Sequence, residues 1–232
     1  MKLLETERLS AFYGDLQALF DLSIAVEQGE CLALVGANGA GKTTLFRALI
    51  GLIANKRGAI RFNGKDISNT PAERISGLGI SLVPEGRLLF PSLTVEENLL
   101  MGRENRRKGR WTLDTVYALF PVLAERRRQN PTTLSGGEQQ MVSIGRGLMA
   151  NPVLLLCDEI SLGLAPVVVE KIYASFATIR AEGTSLVLVE QDVKRAMSVS
   201  ERVVCLLEGR VTLEGKPGDI RQDALNRAYF GG

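Results

Sequence analysis

Short apolar runs recur along the chain and alternate with longer segments in which apolar residues follow helical spacing. Each run is four or five residues long and is typical of a buried strand. The predicted strands are Leu22–Val26, Cys31–Val35, Ala59–Phe62, Ile80–Val83, Val153–Cys157, Ser185–Val189, Val203–Leu207 and Arg210–Glu214. Because strands that alternate with helices form parallel sheets, the pattern predicts an α/β protein with a mostly parallel, buried sheet.

Local sequence also predicts where helices and turns lie. Thr43–Ile50 follows a glycine-rich turn directly and is predicted to be a helix. Thr94–Glu97 has the Ser/Thr-x-x-Glu spacing of a capping box, which predicts that a helix begins there. Pro166–Ala181 has apolar residues at helical spacing and stops just before a glycine. Early in the chain, short connections such as Asn63-Gly64 favour antiparallel pairing.

Strand patterns disappear between residues 91 and 151, where the sequence reads as helix throughout. This shift predicts a helical subdomain, residues 91–151, inserted into a single domain that spans residues 1–232. Residues 1–90 and 152–232 then form the α/β core, which includes an antiparallel β part near the N-terminus.

The composition is ordinary for a soluble globular domain, with 45% hydrophobic and 23% charged residues. The net charge of +2 argues against nucleic-acid binding, which usually needs a strongly basic domain. Residues 103–110 and 126–128 are basic, and we interpret them as solvated helix faces or loops, with contact to lipid headgroups as the alternative. No apolar run approaches the roughly 20 residues of a membrane-spanning helix, and the chain starts without the apolar core of a signal peptide. The sequence therefore predicts a cytoplasmic protein that does not itself span a membrane.

Histidine and cysteine narrow the chemistry further. The chain contains no histidine, which excludes any mechanism that needs an imidazole. Cys31, Cys157 and Cys205 are far apart, and each lies in an apolar run. They are therefore expected to be buried, reduced thiols rather than metal ligands or disulfide partners.

Residues 36–43 read GANGAGKT and match the phosphate-binding pattern G-x-x-x-x-G-K-[ST] between a predicted strand and a predicted helix. Glycines let the main chain wrap closely around phosphate oxygens, and the helix that follows adds its positive N-terminal end. Lys42 is expected to reach the β- and γ-phosphates of ATP, and the Thr43 hydroxyl to ligate Mg²⁺. An ordinary glycine-rich turn is the alternative, but it would not require a lysine at this position. The predicted nucleotide-binding residues of this segment are Gly36, Asn38, Gly39, Gly41, Lys42, Thr43 and Thr44.

The apolar run Val153–Cys157 ends in two acidic residues, Asp158 and Glu159. Such a run is typical of a strand buried on both faces, and the carboxyl ends of these strands border the ligand crevice of α/β proteins. Asp158 is suited to hold Mg²⁺ through water, and Glu159 to orient or deprotonate an attacking water. The alternative is that the two acidic residues cap the next helix.

A second candidate anion site lies at Leu134–Gln140, which reads LSGGEQQ. Ser135 and Gly137 open a predicted helix, and a hydroxyl with bare main-chain amides at a helix start can bind an anion. One chain with two phosphate-binding surfaces indicates that two chains share each nucleotide.

The LSGGEQQ string resembles the signature of the ABC ATPases, and the resemblance covers essentially the whole chain. It implies a P-loop NTPase fold and a head-to-tail dimer. ATP bound at Lys42 and Thr43 of one subunit would be covered by Ser135 and Gly137 of the other. Tyr13 stands upstream of the predicted phosphate loop, residues 36–43, where the family often has an aromatic ring that stacks on adenine. A buried core tyrosine is the alternative.

Three positions depart from the usual ABC pattern. Ser161–Leu164 resembles the family's D-loop but lacks its usual aspartate. Glu85 stands where the family usually has a glutamine, and it can still approach Mg²⁺ or its waters but cannot donate as an amide does. Gln191 stands where the family usually has a histidine that contacts the γ-phosphate, and it can donate a hydrogen bond but cannot titrate. The resemblance thus implies Glu159, Lys42 and Gln191 as catalytic residues and Thr43, Asp158 and Glu85 as metal-site residues.

These departures, together with the strings VPEGR, FPSLTVEENL, SLGLAP, VEQD and AYFGG, resemble the ATPase subunits of branched-chain amino-acid importers, the LivF type. The resemblance implies a dimer with a second ATPase subunit, identical or of the related LivG type, at the cytoplasmic face of the cell membrane. It also implies membrane permeases that dock on the region from Glu85 to about Arg103, and an extracytoplasmic solute-binding protein. The alternatives are the same motor serving urea or another solute, a motor for export, and a soluble ABC ATPase that acts on DNA or ribosomes.

Overall fold

The computed structural model describes residues 1–105 and 107–231, which form two compact units. The first unit joins the N-terminal segment Met1–Ile75 to the C-terminal segment that begins at Ser185, and the second unit is Ser76–Thr184. Arg106, part of the basic stretch 103–110, and Gly232, the last residue of the AYFGG string, lie outside the described residues. The predicted boundaries of the helical subdomain stay a prediction, and the second unit extends beyond them on both sides.

After Cys31, helices separate most of the strands, as the apolar pattern predicts, whereas the first four elements are all strands. The strands are β1 (Lys2–Tyr13), β2 (Leu16–Leu22), β3 (Ala25–Glu27), β4 (Cys31–Val35), β5 (Lys56–Phe62), β6 (Lys65–Asp66), β7 (Ile80–Val83), β8 (Leu154–Asp158), β9 (Ser185–Glu190), β10 (Arg202–Leu207) and β11 (Arg210–Gly215). The α-helices are α1 (Lys42–Leu49), α2 (Ala72–Leu78), α3 (Val95–Leu100), α4 (Leu113–Leu119), α5 (Pro121–Glu125), α6 (Gly136–Met149), α7 (Pro166–Ala181), α8 (Val193–Val199) and α9 (Gln222–Phe230). Short 3₁₀ turns span Met101–Asn105, Pro131–Thr133 and Pro217–Asp219.

An antiparallel sheet in the first unit pairs β1 with β2, β3 and β5, and pairs β5 with β6. Asn63 and Gly64 form the tight turn between β5 and β6, with φ values of 50° and 73°. Both lie in the left-handed region that a two-residue hairpin turn of this kind needs. The antiparallel pairing predicted from this dipeptide is confirmed.

The parallel strands of the first unit run in the order β9, β4, β10, with β11 antiparallel beside β10. Every residue of β4 and β9 is buried, which explains why both strands read as continuous apolar runs. Ala196 of α8 and Ala228 of α9 belong to the same buried cluster as Val35 of β4. Helices therefore cover this sheet, as in other α/β proteins, and the predicted fold class is confirmed.

The second unit contains the parallel pair β7 and β8, and the rest of it is largely helical. The capping box predicted at Thr94 begins α3, because the Thr94 hydroxyl accepts from the Glu97 amide and the Glu97 carboxylate accepts from the Thr94 amide. The predicted helix Pro166–Ala181 is confirmed as α7 with the same bounds. Residues 91–151 are not helix throughout but contain separate α-helices of 5 to 14 residues. Pro121 begins α5 because its ring cannot continue α4.

The apolar pattern missed β1 and most of β2. The predicted strand Leu22–Val26 is wrong, since β2 ends at Leu22 and β3 begins only at Ala25. The pairing of β1 shifts register several times, and its residue Arg8 has a φ of 48°. These bulges break the alternation of buried and exposed side chains by which a strand is usually found in a sequence.

The cysteines are buried thiols, as predicted. Burial raises the pKa of the Cys205 thiol above its ordinary value. Within the ranges that the structure covers, no helix combines the length and apolar character needed to cross a bilayer.

Candidate functional site

The phosphate loop follows β4 and leads directly into α1. Gly36 has a φ of 153°, and a Cβ atom there would lie 2.3 Å from the carbonyl oxygen of Leu206 on β10. Gly41 has a φ of 103°, and a Cβ atom there would lie 2.8 Å from Cδ2 of Leu19 on β2. Both positions therefore require glycine for packing within the first unit, in addition to any approach of a phosphate.

The first turn of α1 offers main-chain amides that no side chain caps. Gly41 is the N-cap residue and makes no side-chain hydrogen bond, and the first turn holds no acidic residue. Thr43 and Thr44 stand in this turn and are half-buried. Uncapped N–H groups at a helix N-terminus attract anions, so this end of α1 is suited to a phosphate group.

The side chain of Lys42 is held over the phosphate loop, whose tip carries the exposed residues Asn38 and Gly39. Lys42 is only 4% exposed. Its ammonium group donates hydrogen bonds to the carbonyl oxygens of Gly36 at 2.7 Å and Ala37 at 3.1 Å. Such acceptors are necessary because a buried charge without partners is strongly unfavourable. They keep a positive charge beside the loop.

The end of β9 lies beside the phosphate loop in the first unit. Val35, the last residue of β4, is paired in parallel with Glu190, the last residue of β9. Gly36 and Gln191 therefore leave the sheet at the same edge. Gln191 is half-buried and directly precedes Asp192, the N-cap residue of α8. The structure thus brings the predicted γ-phosphate contact and the phosphate loop together.

Tyr13 ends β1 and is 42% exposed. The alternative that it is a buried core residue is therefore wrong. Its hydroxyl accepts a 3.4 Å hydrogen bond from the guanidinium of Arg47. Because Arg47 belongs to α1, the ring lies near the helix into which the phosphate loop leads, and it is accessible for stacking on a base.

The acidic residues predicted in the second unit lie at the carboxyl ends of its two parallel strands. Val83 of β7 is paired with Cys157 of β8. Glu85 lies two residues beyond Val83 and Glu159 two residues beyond Cys157, so both stand at the same level along the two strands. Asp158 is 3% exposed, Glu159 is half-buried and Glu85 is exposed. All three residues leave the carboxyl ends of adjacent strands, as expected for residues that border a ligand crevice.

Glu159 adopts an unusual main-chain conformation. Its φ is 45°, in a region that costs a residue other than glycine about 1–3 kcal/mol and is often found at functional positions. The alternative that Asp158 and Glu159 cap the next helix is wrong, because the N-cap residue of α7 is Ala165. The strain supports a role for the Glu159 carboxylate other than helix capping.

The described residues do not form a cage of three or more His, Cys, Asp or Glu side chains for a metal ion. Mg²⁺ does not need one, since it commonly binds through one or two carboxylates together with substrate phosphates and waters. Asp158, a buried carboxylate at a strand end, has the chemistry of such a ligand.

Ser135 begins α6 with a complete capping box. Its hydroxyl accepts from the Glu138 amide at 3.3 Å and donates to the Glu138 carboxylate at 2.7 Å. The carboxylate also accepts from the Ser135 amide at 2.8 Å. These hydrogen bonds from Ser135 lower the pKa of the Glu138 carboxyl group. The start of α6, called the signature helix because the LSGGEQQ string leads into it, is therefore ordered within a single chain.

Gly137 has a packing role that the sequence did not reveal. It is buried, and a Cβ atom there would lie only 2.3 Å from Cγ1 of Val168 on α7. The contact joins helices that are distant in sequence, so no local signal could have predicted it. Gly137 therefore allows α6 and α7 to approach each other closely, whatever else its amide binds.

Replacing Gly137 by alanine is expected to lower the free energy of unfolding by about 1–3 kcal/mol, because the new methyl group overpacks against Val168. Gly77→Ala on α2 is the matched control, since a Cβ atom at Gly77 meets no atom within 4 Å. Alanine also favours a helix over glycine by up to about 1 kcal/mol, so the control should not be destabilised. Urea denaturation of both variants measures the difference, and a Gly137→Ala protein as stable as the wild type would rule out the close contact.

Sequence reasoning also missed Ser143 and Arg146, two polar residues of α6 that bind the loop after β7. Their signal in the sequence is polarity within an otherwise apolar segment of the helix. That signal alone does not show which groups they bind.

The chain is similar to known proteins over nearly its whole length. The model of the ABC transporter family matches residues 19–161, more than half of the chain. The chain is 42% identical to the high-affinity branched-chain amino acid transport ATP-binding protein BraG of Pseudomonas aeruginosa, covering 99% of this chain and 100% of that relative. It is 32% identical to the lipopolysaccharide export system ATP-binding protein LptB of Haemophilus influenzae, over 100% of this chain and 98% of that protein.

A solved structure has the same fold. The crystal structure of the ADP conformation of an ATP-binding cassette of an ABC transporter superposes with a TM-score of 0.81 and is 25% identical, covering 98% of this chain and 94% of its own. The phosphate loop and the signature string both occur here within a fold of this kind. The chain therefore belongs to the ABC transporter family as an ATP-binding subunit, related to the ATPases of branched-chain amino-acid importers.

Proposed function

We propose that the chain hydrolyses ATP, with Mg²⁺, to power the uptake of branched-chain amino acids through a membrane permease. The observation that carries this proposal is the 42% identity to BraG over 99% of the chain. The uncapped start of α1, the charge of Lys42 held over the loop and the strained Glu159 supply the groups that ATP hydrolysis needs.

In this proposal the first unit holds the nucleotide. The amides of the phosphate loop and the Lys42 ammonium bind the phosphate oxygens, and the ring of Tyr13 stacks on the adenine. Asn38, Gly39 and Thr44 complete the cradle. Gln191 donates a hydrogen bond to the γ-phosphate, which its position at the edge beside Gly36 supports.

Glu159 is the group that activates water in this proposal. Its carboxylate orients the attacking water and accepts its proton, which is general-base chemistry. Thr43 and Asp158 are the residues that would ligate Mg²⁺, and Glu85 would contact the metal or its waters. When bound, Mg²⁺ neutralises charge on the phosphate oxygens.

The working assembly in this proposal is a head-to-tail dimer with a second ATPase subunit, identical or related. Ser135 and Gly137 of one subunit cover the nucleotide of the other. The loop after β7 exposes apolar side chains, with Leu88 at 66% and Phe90 at 43% exposure. Such residues are suited to contact a membrane permease. The pair of ATPases would then lie at the cytoplasmic face of the membrane, and a solute-binding protein would lie on the other side.

The relationship to LptB supports a second candidate function, a motor for lipid export. The identity to LptB is 32%, below the 42% identity to BraG, and this chain has Gln191 and no histidine. Import therefore remains the proposal that the residues favour.

Uptake by cells that lack this gene tests the proposal and the choice of solute. The cells are supplied in turn with radiolabelled leucine, isoleucine, valine and urea. The expected result is that uptake of the three amino acids is lost and uptake of urea is kept. A plasmid carrying the wild-type gene, or the surface variant Lys65→Ala, should restore uptake. Loss of urea uptake alone would overturn the solute, and unchanged uptake of all four with a defect in lipid export would favour the second candidate.

A further inference from the structure

The loop between β7 and α3 contains a strained turn directly after Glu85. Arg87 has a φ of 67° and Leu88 a φ of 44°, so two consecutive residues other than glycine occupy the left-handed region. Such a conformation persists only where the surroundings hold it in place. Something in the second unit must therefore fix this turn.

Arg146 of α6 binds both strained residues at once. Its guanidinium donates to the carbonyl oxygen of Leu88 at 2.8 Å through Nη1 and to that of Arg87 at 2.9 Å through Nη2. The same guanidinium lies 5.4 Å from the ring centroid of Phe90, within cation–π distance. A planar fork that holds two adjacent carbonyls fixes orientation as well as distance.

The charge of Arg146 serves this loop rather than an ion pair. No carboxylate of the described chain lies within salt-bridge distance of it, and desolvation by burial lowers the pKa of its guanidinium. Burying this cation is unfavourable unless its hydrogen bonds are made, and the acceptors it has found are the two carbonyls of the strained turn.

Two more residues on the same face of α6 join the contact. The Ser143 hydroxyl donates to the carbonyl oxygen of Arg87 at 3.0 Å, and the Gln139 side-chain carbonyl accepts from the Arg87 guanidinium at 3.0 Å. Residues 139, 143 and 146 follow the i, i+4, i+7 spacing of one helix face. The helix α6 therefore makes hydrogen bonds to the turn from three successive positions along one face.

We propose that Arg146 is a positioning residue that holds the loop at residues 85–90 against the signature helix. These contacts of Arg146 form what we call the clamp. Ser135 at the start of α6 and Arg146 stand on one continuous helix, about 16 Å apart along its axis. Any displacement of the signature therefore carries the turn at Arg87 and Leu88, and with it Glu85. The inference rests on the proposed function only in assigning Glu85 to the metal site.

Steady-state hydrolysis of Mg-ATP by the purified full chain, with its partner subunit, tests the inference through a double-mutant cycle. Arg146→Gln is expected to lower kcat by about tenfold to a hundredfold, as a small misplacement of a site residue does. Because the clamp includes no residue of the phosphate loop, KM for ATP should change by less than about twofold. The kcat of Arg146→Lys should lie between those of the wild type and Arg146→Gln, since an ammonium group cannot donate to two carbonyls with the geometry of a guanidinium. Arg128→Gln, at an exposed arginine, is the matched control.

The cycle is completed by Glu85→Ala and by the double variant. If Arg146 acts through Glu85, the double variant has the kcat of Glu85→Ala alone. The proposal is overturned if the losses of kcat in the two single variants multiply in the double variant. It is also overturned if Glu85→Ala or Arg146→Gln keeps the full kcat, or if Arg146→Gln raises KM. Should Arg146→Gln fail to fold, Ser143→Ala removes a single hydroxyl from the same carbonyl and takes its place in the cycle.

Hydrogen exchange separates a failure of this inference from a failure of the proposed function. The amides of Leu88 and Phe90 donate to the Gly86 carbonyl oxygen and to Asn98 Oδ1, and they should exchange at least about tenfold faster in Arg146→Gln than in the wild type. This measurement needs no catalysis. A wild-type chain without ATPase activity would reject the proposed function, whereas unchanged exchange would reject the clamp.

Discussion

A Glu159→Gln variant is expected to bind ATP as well as the wild type and to hydrolyse it about 10²- to 10⁴-fold more slowly, which is the usual contribution of a positioned general base. Glutamine has the size of glutamate and can still hold a water, but it cannot accept the proton. Because the two side chains have nearly the same shape, the substitution should leave the main chain at Glu159, with its φ of 45°, unchanged. The loss should therefore fall on kcat and not on binding.

Phosphate release from Mg-ATP at saturating nucleotide measures the turnover, and equilibrium binding of a fluorescent ATP analogue measures the affinity. Glu170→Gln is the matched control, because Glu170 is an exposed residue of α7. It should hydrolyse ATP at the wild-type rate. Full turnover in Glu159→Gln would remove Glu159 from the catalytic role.

Lys42→Ala is expected to fail earlier, at nucleotide binding. A hydrogen bond to a charged group contributes about 1.5–3 kcal/mol, so the loss of the ammonium should weaken ATP binding by about 10- to 100-fold. Lys42 also donates to the carbonyl oxygens of Gly36 and Ala37. Its removal should therefore leave the phosphate loop less well held, and turnover should fall below detection.

Isothermal titration with ATP compares Lys42→Ala with the wild type and with Lys65→Ala, a change at an exposed lysine on β6. The control should bind as the wild type does. A thermal unfolding curve for each protein shows that the chain is folded. Wild-type affinity in a folded Lys42→Ala protein would contradict the assignment of the phosphate loop.

The candidate phosphate-site residues could be proposed from the sequence because each is tied to a local pattern. The phosphate loop stands between a strand and a helix that both read clearly, and Asp158 ends a continuous apolar run. Gly36 and Gln191, by contrast, are brought to one edge by the pairing of β4 with β9. One sequence does not reveal which strands are neighbours, so that arrangement had to come from the structure.

The failures have physical causes too. β1 was missed because its bulges interrupt the alternation of side chains. The contact of Gly137 with Val168 and the grip of Arg146 on Arg87 are tertiary contacts that leave no period in the sequence. Tyr13 could be read as core or surface until its exposure was known.

The capping box of α6 has a consequence for how two subunits would come together. In a single chain the Ser135 hydroxyl already has an anion of its own, the carboxylate of Glu138, at 2.7 Å. A phosphate presented by a neighbouring subunit would therefore compete with that carboxylate, and not only with water. In the proposed dimer, closure would exchange one anion for another at an ordered helix start, so little conformational entropy would be lost there. In that assembly Glu138 would hold the Ser135 hydroxyl in place until a phosphate group with more negative charge displaces its carboxylate.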